Sequence, residues 1–267
     1  MSATSLQALI FDVDGTLADT ESAHLAAFNQ AFAAFGLNWH WDEALYTELL
    51  NISGGKERIL HYWKTTQPAL REVQAMALQD TVNRLHELKT AAYERAVDDG
   101  AVSLRPGVLR LMDEALAQGL QLAIATTTSP VNIAALLRRA LGPDWRLNFT
   151  AIGDASTAPL KKPDPQVYLQ MLAALKLAPA QCLAFEDSRN GLRAATAAGL
   201  ATLITPTRYT AQHDFSGALR VLPDLSQVSL AQLLRWLSKC QRRNDASVTW
   251  LKSGNTRSAP EKSCCAV

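Results

Sequence analysis

The chain has 267 residues, 48% hydrophobic and 19% charged, with a formal net charge of +1. That apolar content excludes intrinsic disorder for most of the chain, and the near-neutral balance argues against a nucleic-acid or acidic-membrane binder, whose basic excess would appear in the total. An uncharged apolar run of about 18 residues, the length a membrane span needs, is not found.

Met1 to Leu6 lacks the basic start and apolar run of a signal peptide, which predicts an intracellular protein. Leu6 to Phe11 then reads as a first buried strand. From Asp19 to about Leu104 no strand pattern occurs, whereas His24, Phe28, Phe32 and Phe35 recur at helical spacing. Arg105, Pro106 and Gly107 punctuate the end of that interval. Beyond it, predicted strands at Leu120 to Ala125, Phe149 to Ile152, Cys182 to Phe185 and Ala201 to Ile204 alternate with predicted helices. The helices are expected at Val108 to Ala117, Ile133 to Leu141, Pro165 to Leu175 and Gly191 to Ala198. Strand and helix in turn predict an α/β doubly wound parallel sheet, with residues 1–18 and 105–238 forming the core and 19–104 an inserted helical module. An insertion there lies at the carboxyl edge of the sheet, where such folds bind ligands.

Residues 239–267 read as a tail, with six basic and two acidic side chains and no periodicity. Its last four residues, Cys264-Cys265-Ala266-Val267, have the form of a prenylation signal, but nothing else points to lipidation. The four cysteines show no metal spacing, so neither a zinc site nor a disulfide framework is expected.

The chemistry gathers at strand ends. Asp12-Val13-Asp14-Gly15-Thr16 places two carboxylates at the mouth of the sheet, which a hard divalent cation would offset. For this pair alone, a polar loop with Asp19 or Thr20 capping the next helix is an equal alternative. Glu186-Asp187 ends a second apolar strand. Parallel strands finish at one edge, so four carboxylates converge there and their repulsion favours a metal. Thr126-Thr127-Thr128-Ser129, opening a helix at Pro130, offers hydroxyls and N–H groups as an anion cradle, and Lys161-Lys162-Pro163 adds a cation.

In this order Asp12-x-Asp14-Gly15-Thr16, Thr126, Lys162-Pro163 and Glu186-Asp187 resemble the four motifs of the haloacid dehalogenase superfamily, over roughly residues 7–206. The helical insertion resembles the C1 cap of the branch holding β-phosphoglucomutase, phosphoglycolate phosphatase and the CbbY-type sugar bisphosphate phosphatases. The resemblance implies Mg²⁺-dependent aspartyl-phosphate chemistry. By it Asp12 is the nucleophile, Asp14 the general acid and base, and Thr126 and Lys162 hold the phosphate. Asp12, Asp14 through its backbone carbonyl, Glu186 and Asp187 form the implied metal set.

The same resemblance puts Gly54, Gly55, Lys56, Arg58, His86 and Lys89 on the cap face of the cleft. A monophosphate needs one anion site, so these extra cations imply a second anionic group on the substrate. Glu21 and His24 are expected to hold sugar hydroxyls, with His24 also matching a position that contacts the acid/base in mutase relatives; Thr127, Thr128 and Ser129 complete the expected substrate set. Gly54 to Ile59 and Ile124 to Pro130 look most like CbbY proteins. That likeness implies xylulose-1,5-bisphosphate as substrate, xylulose 5-phosphate and phosphate as products, and protection of rubisco from an inhibitor. A mutase is the first rival, although such relatives often carry an apolar residue where Thr16 stands. A phosphatase for a small ester such as phosphoglycolate is the second, and the three cap cations argue against it. A non-catalytic binding protein is the third, against which all four carboxylates stand. The expected partner is a small sugar phosphate, with no nucleic acid or membrane. A monomer is expected, in a bacterial cytoplasm or a plastid stroma.

Overall fold

The computed structural model describes residues 6–66 and 75–240; the predicted tail beyond 240 and its cysteine motif lie outside the described residues. Six strands form one all-parallel sheet in the order β3-β2-β1-β4-β5-β6. The strands are β1 (Ala8–Phe11), β2 (Gln121–Ala125), β3 (Ala151–Gly153), β4 (Cys182–Glu186), β5 (Ala201–Ile204) and β6 (Arg220–Val221). β1 is central and wholly buried, which is why its four residues are all apolar. Its side chains divide between two cores as the pleat requires: Leu9 and Phe11 on one face, Ala8 and Ile10 on the other.

Helices cover both faces. α5 (Val108–Ala117) and α6 (Pro130–Leu141) pack with Leu9 and Phe11, joined by the helix at 230–240, while α7 (Gln166–Leu175) and α8 (Arg189–Ala197) pack with Ala8 and Ile10. Ser129 and Ser188 accept hydrogen bonds from Asn132 N and Gly191 N, capping α6 and α8 directly after two of the strand ends that carry chemistry. α6 therefore starts at Pro130, a turn earlier than the hydrophobic pattern alone predicts. β3 sits two residues later than expected, and β6 was not anticipated: two residues are too short for an alternation to register.

Between β1 and β2 the described residues form four helices, α1 (Glu21–Phe35), α2 (Glu43–Leu49), α3 (Gly55–Thr66) and α4 (Ala75–Asp98), besides α5 on the sheet. They carry their own core, built on Phe28, Phe32, Trp41, Tyr46, Leu49, Ile59, Val82 and Leu85. The two passages between these helices and the sheet run side by side. Ala18 bridges Leu104, and Arg105 N donates to Leu17 O at 2.8 Å. The Arg105 guanidinium donates to the carbonyls of Gly15, Thr205, Pro206 and Pro223, so one side chain ties this junction to the loops after β5 and β6.

Candidate active site

The register of β1 with β2 and β4 delivers Asp12, Thr126, Glu186 and Asp187 to one edge of the sheet. Lys162, from the loop before α7, is buried among them. Its ammonium donates to Asp12 Oδ1 (2.7 Å), Glu186 Oε1 (2.5 Å) and Ala125 O (2.8 Å), which uses all three of its protons. Glu186 Oε1 also accepts from Tyr168 Oη at 2.6 Å. Gly15 turns the chain off β1 at φ +79°; a Cβ there would lie 2.4 Å from Asp187 Oδ2.

Asp12, Glu186 and Asp187 each present a carboxylate oxygen within 4.8 Å of the others. Burial raises the pKa of Asp12, with Lys162 opposing and Glu186 reinforcing. Burial also pushes Asp187 well above the carboxylate range, and Asp12 and Glu186 add to the effect. Lys162 is held above its ordinary value: burial alone would lower it, but Asp12 and Glu186 keep it charged. One ammonium thus faces three carboxylates. Glu186 Oε2 is buried with no hydrogen-bond partner. An oxygen-only donor set, a surplus of negative charge and an orphaned acceptor fit a hard divalent cation.

Asp14 stands outside that cluster. Its Oδ1 accepts from Thr20 Oγ1 at 2.7 Å and lies 2.9 Å from His24 Nε2. Lys89 Nζ lies 2.8 Å from His24 Nδ1. An ammonium can only donate, so Nδ1 accepts and the ring proton sits on Nε2, directed at Asp14. Burial opposes ionisation of Asp14, yet His24, Thr20 and Lys89 hold its carboxyl well below the usual range. The expected metal role of Asp14 therefore does not extend to its side chain, whose oxygen is engaged elsewhere. The expectation that His24 holds a sugar hydroxyl also changes: both ring nitrogens are engaged, and His24 orients Asp14.

These groups open into a cleft of about 800 Å³ walled by both the sheet edge and the helical module. All the sequence-predicted site residues line it. On the helical side Arg58 is buried and donates to Leu49 O, Ile52 O and Tyr46 Oη, leaving part of its guanidinium unused. Glu21 Oε2 accepts from Tyr46 Oη at 2.6 Å. Lys89 is 4% exposed and Arg58 8%, and neither forms an ion pair among the described residues. Lys56 differs from its expected equivalence with them: it is exposed and donates to Asn83 Oδ1. His86 lies beside Gly55, its pKa taken down to about 3 by burial and then by Lys89 and Lys56, so it is a neutral ring.

On the sheet side Thr126 is buried and its Oγ1 accepts from Thr128 N. Asn132 donates to Thr128 Oγ1, while its own Oδ1 is buried beside the cleft without a partner. Asn132, Thr20, Tyr46 and Tyr168 were not legible as site residues. Only the six-residue offsets from Asp14 to Thr20 and from Lys162 to Tyr168 could have drawn attention to two of them.

The family model for haloacid dehalogenase-like hydrolases matches residues 6–199. Protein CbbY (plasmid) of Cupriavidus necator is 56% identical over 220 residues, covering 82% of this chain and 86% of the relative. CbbY of Rhodobacter capsulatus is 47% identical over 222 residues, covering 83% and 94%. A mutant CbbY from Rhodobacter sphaeroides, solved in complex with xylulose-(1,5)bisphosphate, superposes with a TM-score of 0.77 at 40% identity, covering 85% of this chain and 99% of that one. β-Phosphoglucomutase from Clostridium difficile shares the fold, with a TM-score of 0.72 at 20% identity and coverage of 89% and 100%. Among the described residues no helix is long and apolar enough to cross a membrane. The chain belongs to the haloacid dehalogenase-like hydrolases and is a phosphatase of the C1-cap branch that includes the CbbY proteins.

Proposed function

We propose that this phosphatase hydrolyses one ester of a sugar bisphosphate. Two buried cations with no carboxylate partner among the described residues, Arg58 and Lys89, face the nucleophile's cleft, and this observation carries the reading. A buried unpaired charge is costly, and an anionic ligand group would relieve it. Lys162 serves the anion at the sheet edge; Arg58 and Lys89 serve a second anion across the cleft. A relative 40% identical was solved with xylulose-(1,5)bisphosphate. We take that compound as the substrate, with xylulose 5-phosphate as product. By the same likeness the role is removal of a rubisco inhibitor in the cytoplasm of a carbon-fixing bacterium.

Asp12 attacks phosphorus, forming an acyl phosphate as the bond from phosphorus to the sugar oxygen breaks. Asp14 gives that oxygen a proton, and in the second step takes one from the water that attacks the acyl phosphate. His24 and Thr20 aim its carboxylate, which in the ligand-free protein is ionised as the second step requires. It takes up its first-step proton as the substrate's phosphate arrives beside it, since a neighbouring anion raises a carboxyl pKa. Lys162 and the Thr126 hydroxyl hold the transferring phosphoryl group. Asp12, Glu186 and Asp187, with the Asp14 carbonyl, would hold Mg²⁺, which supplies charge neutralisation at the phosphoryl oxygens.

A phosphate-release screen over sugar mono- and bisphosphates, with product identification, tests this reading. Xylulose-1,5-bisphosphate is expected to give xylulose 5-phosphate and free phosphate in equal amounts; an isomerised phosphosugar without free phosphate would establish a mutase instead. Arg58→Met is expected to raise KM for the bisphosphate by about tenfold or more, the scale of one lost charge-assisted contact, and to leave KM for p-nitrophenyl phosphate within about twofold. Equal rises for both would remove Arg58 from the second anion site.

A further inference from the structure

Glu186 uses its two oxygens very unequally. Oε1 receives two donors, Lys162 Nζ and Tyr168 Oη, whereas Oε2 is buried without any. The whole Glu186 carboxylate lies against Gly191, where a Cβ would collide with it, so only glycine leaves room for it there. The terminal torsion of a glutamate is broad, so a carboxylate held by nothing could turn either oxygen toward either neighbour. From this asymmetry we infer that Tyr168 is a positioning residue for the metal: its hydroxyl pins Glu186 Oε1 and so keeps Oε2 free for the divalent cation or a water bound to it.

Lys162 cannot do this alone. Its three protons are already divided among Asp12, Glu186 and Ala125, and the proposed function also calls on it for the phosphoryl group. Among the described residues the Tyr168 hydroxyl makes no other hydrogen bond. Its ring is fully buried on α7, packed in the core formed with Ala8, Ile10, Val167 and Met171, so the hydroxyl is fixed by packing rather than by the site's own charges. The Lys162 ammonium lies 5.2 Å from the ring centroid, so the two Oε1 donors are neighbours. Partners that orient a metal ligand in this way typically change metal affinity by about 10- to 100-fold when lost.

The assignment rests on the reading of Asp12, Glu186 and Asp187 as a metal site, and the test separates the two. Mn²⁺ is titrated into substrate-free enzyme, with the free ion followed by electron paramagnetic resonance. Tyr168→Phe, which keeps the buried ring, is expected to weaken Mn²⁺ binding about tenfold. The Mg²⁺ concentration for half-maximal phosphate release should rise by the same factor, while kcat at saturating Mg²⁺ falls less than about threefold. Tyr168→Leu, apolar and without the hydroxyl, should weaken Mn²⁺ binding likewise. Unchanged Mn²⁺ affinity in the folded Phe or Leu variant overturns the role of Tyr168 and leaves the metal site standing, as does a fall in kcat at saturating metal with affinity intact. Absence of Mn²⁺ binding in the unsubstituted enzyme overturns both.

Discussion

Lys89 is the residue at which burial and opposing charges meet, beside the proposed second anion site. Burial lowers its pKa, Asp14 raises it, Arg58 on α3 lowers it and Glu21 on α1 raises it, with a net value of about 8; the His24, Phe28 and Tyr93 rings border the ammonium. Its folded value lies below the ordinary lysine value, so the ammonium is charged below about pH 8 and loses its proton above it. KM for the bisphosphate is therefore expected to climb as pH passes 8, with KM for p-nitrophenyl phosphate flat over the same range. Lys89→Arg keeps a charge at every accessible pH and should flatten the climb. A climb that persists in Lys89→Arg would assign it to another group. At the proposed nucleophile, Asp12→Asn is expected to cut turnover by at least about a thousandfold with the fold retained by circular dichroism, since it removes the attacking charge without changing shape. Substantial activity in that variant under excess Mg²⁺ would rule out the acyl phosphate.

Two elements also meet away from the chain crossings, beside the cleft. The N-terminus of α8, three residues past Asp187, presents Asn190, whose Nδ2 donates to Asn51 O (2.9 Å) and Ser53 Oγ (3.2 Å) in the turn between α2 and α3. Arg189 Nη2 adds a bond to Asn51 Oδ1 at 3.0 Å. These contacts hold the glycine-bearing turn of the helical module against the acidic strand end. With about 1 kcal/mol per hydrogen bond, less where solvent competes, Asn190→Ala should raise KM for the bisphosphate about three- to tenfold. Hydrolysis of p-nitrophenyl phosphate, which needs no grip from the far side, should be nearly unaffected; steady-state kinetics on both substrates decides it. Such contacts were not legible in the sequence, because Asn51 and Asn190 are joined only by the fold. What was legible followed local physics: β1, β2, β4 and β5 are mostly apolar, and the acidic and hydroxyl-rich motifs stand at the carboxyl ends of β1, β2 and β4. Nothing in the spacing of Tyr46 and Tyr168 reveals that their hydroxyls reach Glu21 and Glu186. His24 was visible as polar on an apolar stripe, but only geometry could separate contact with a sugar from contact with Asp14.

At the scale of the whole molecule, a net charge of +1 conceals a site whose local balance is far from neutral. Three buried carboxylates cluster at the sheet edge with one lysine that bonds two of them, while two cations without ion pairs among the described residues lie across the cleft. The ligand-free fold thus stores opposed, separated charges that its ligands would join, so its stability should depend on them. A cation that binds the native chain and not the unfolded one stabilises it by about 2.7 kcal/mol at a hundred times its dissociation constant. For a protein of this size that is a rise of roughly 5–10 °C in melting temperature. Adding Mg²⁺ to chelator-treated enzyme is expected to produce such a rise. Asp187→Asn separates ligand binding from nonspecific salt effects, because it removes one carboxylate at constant shape. In that variant the metal-free protein should melt higher than the unsubstituted metal-free protein, since one repelling charge is gone, and the Mg²⁺-induced rise should largely disappear with the lost ligand. A metal-free Asp187→Asn protein that melts lower, with the Mg²⁺ response intact, would mean that the acidic cluster is held by its hydrogen bonds and that the cation binds elsewhere.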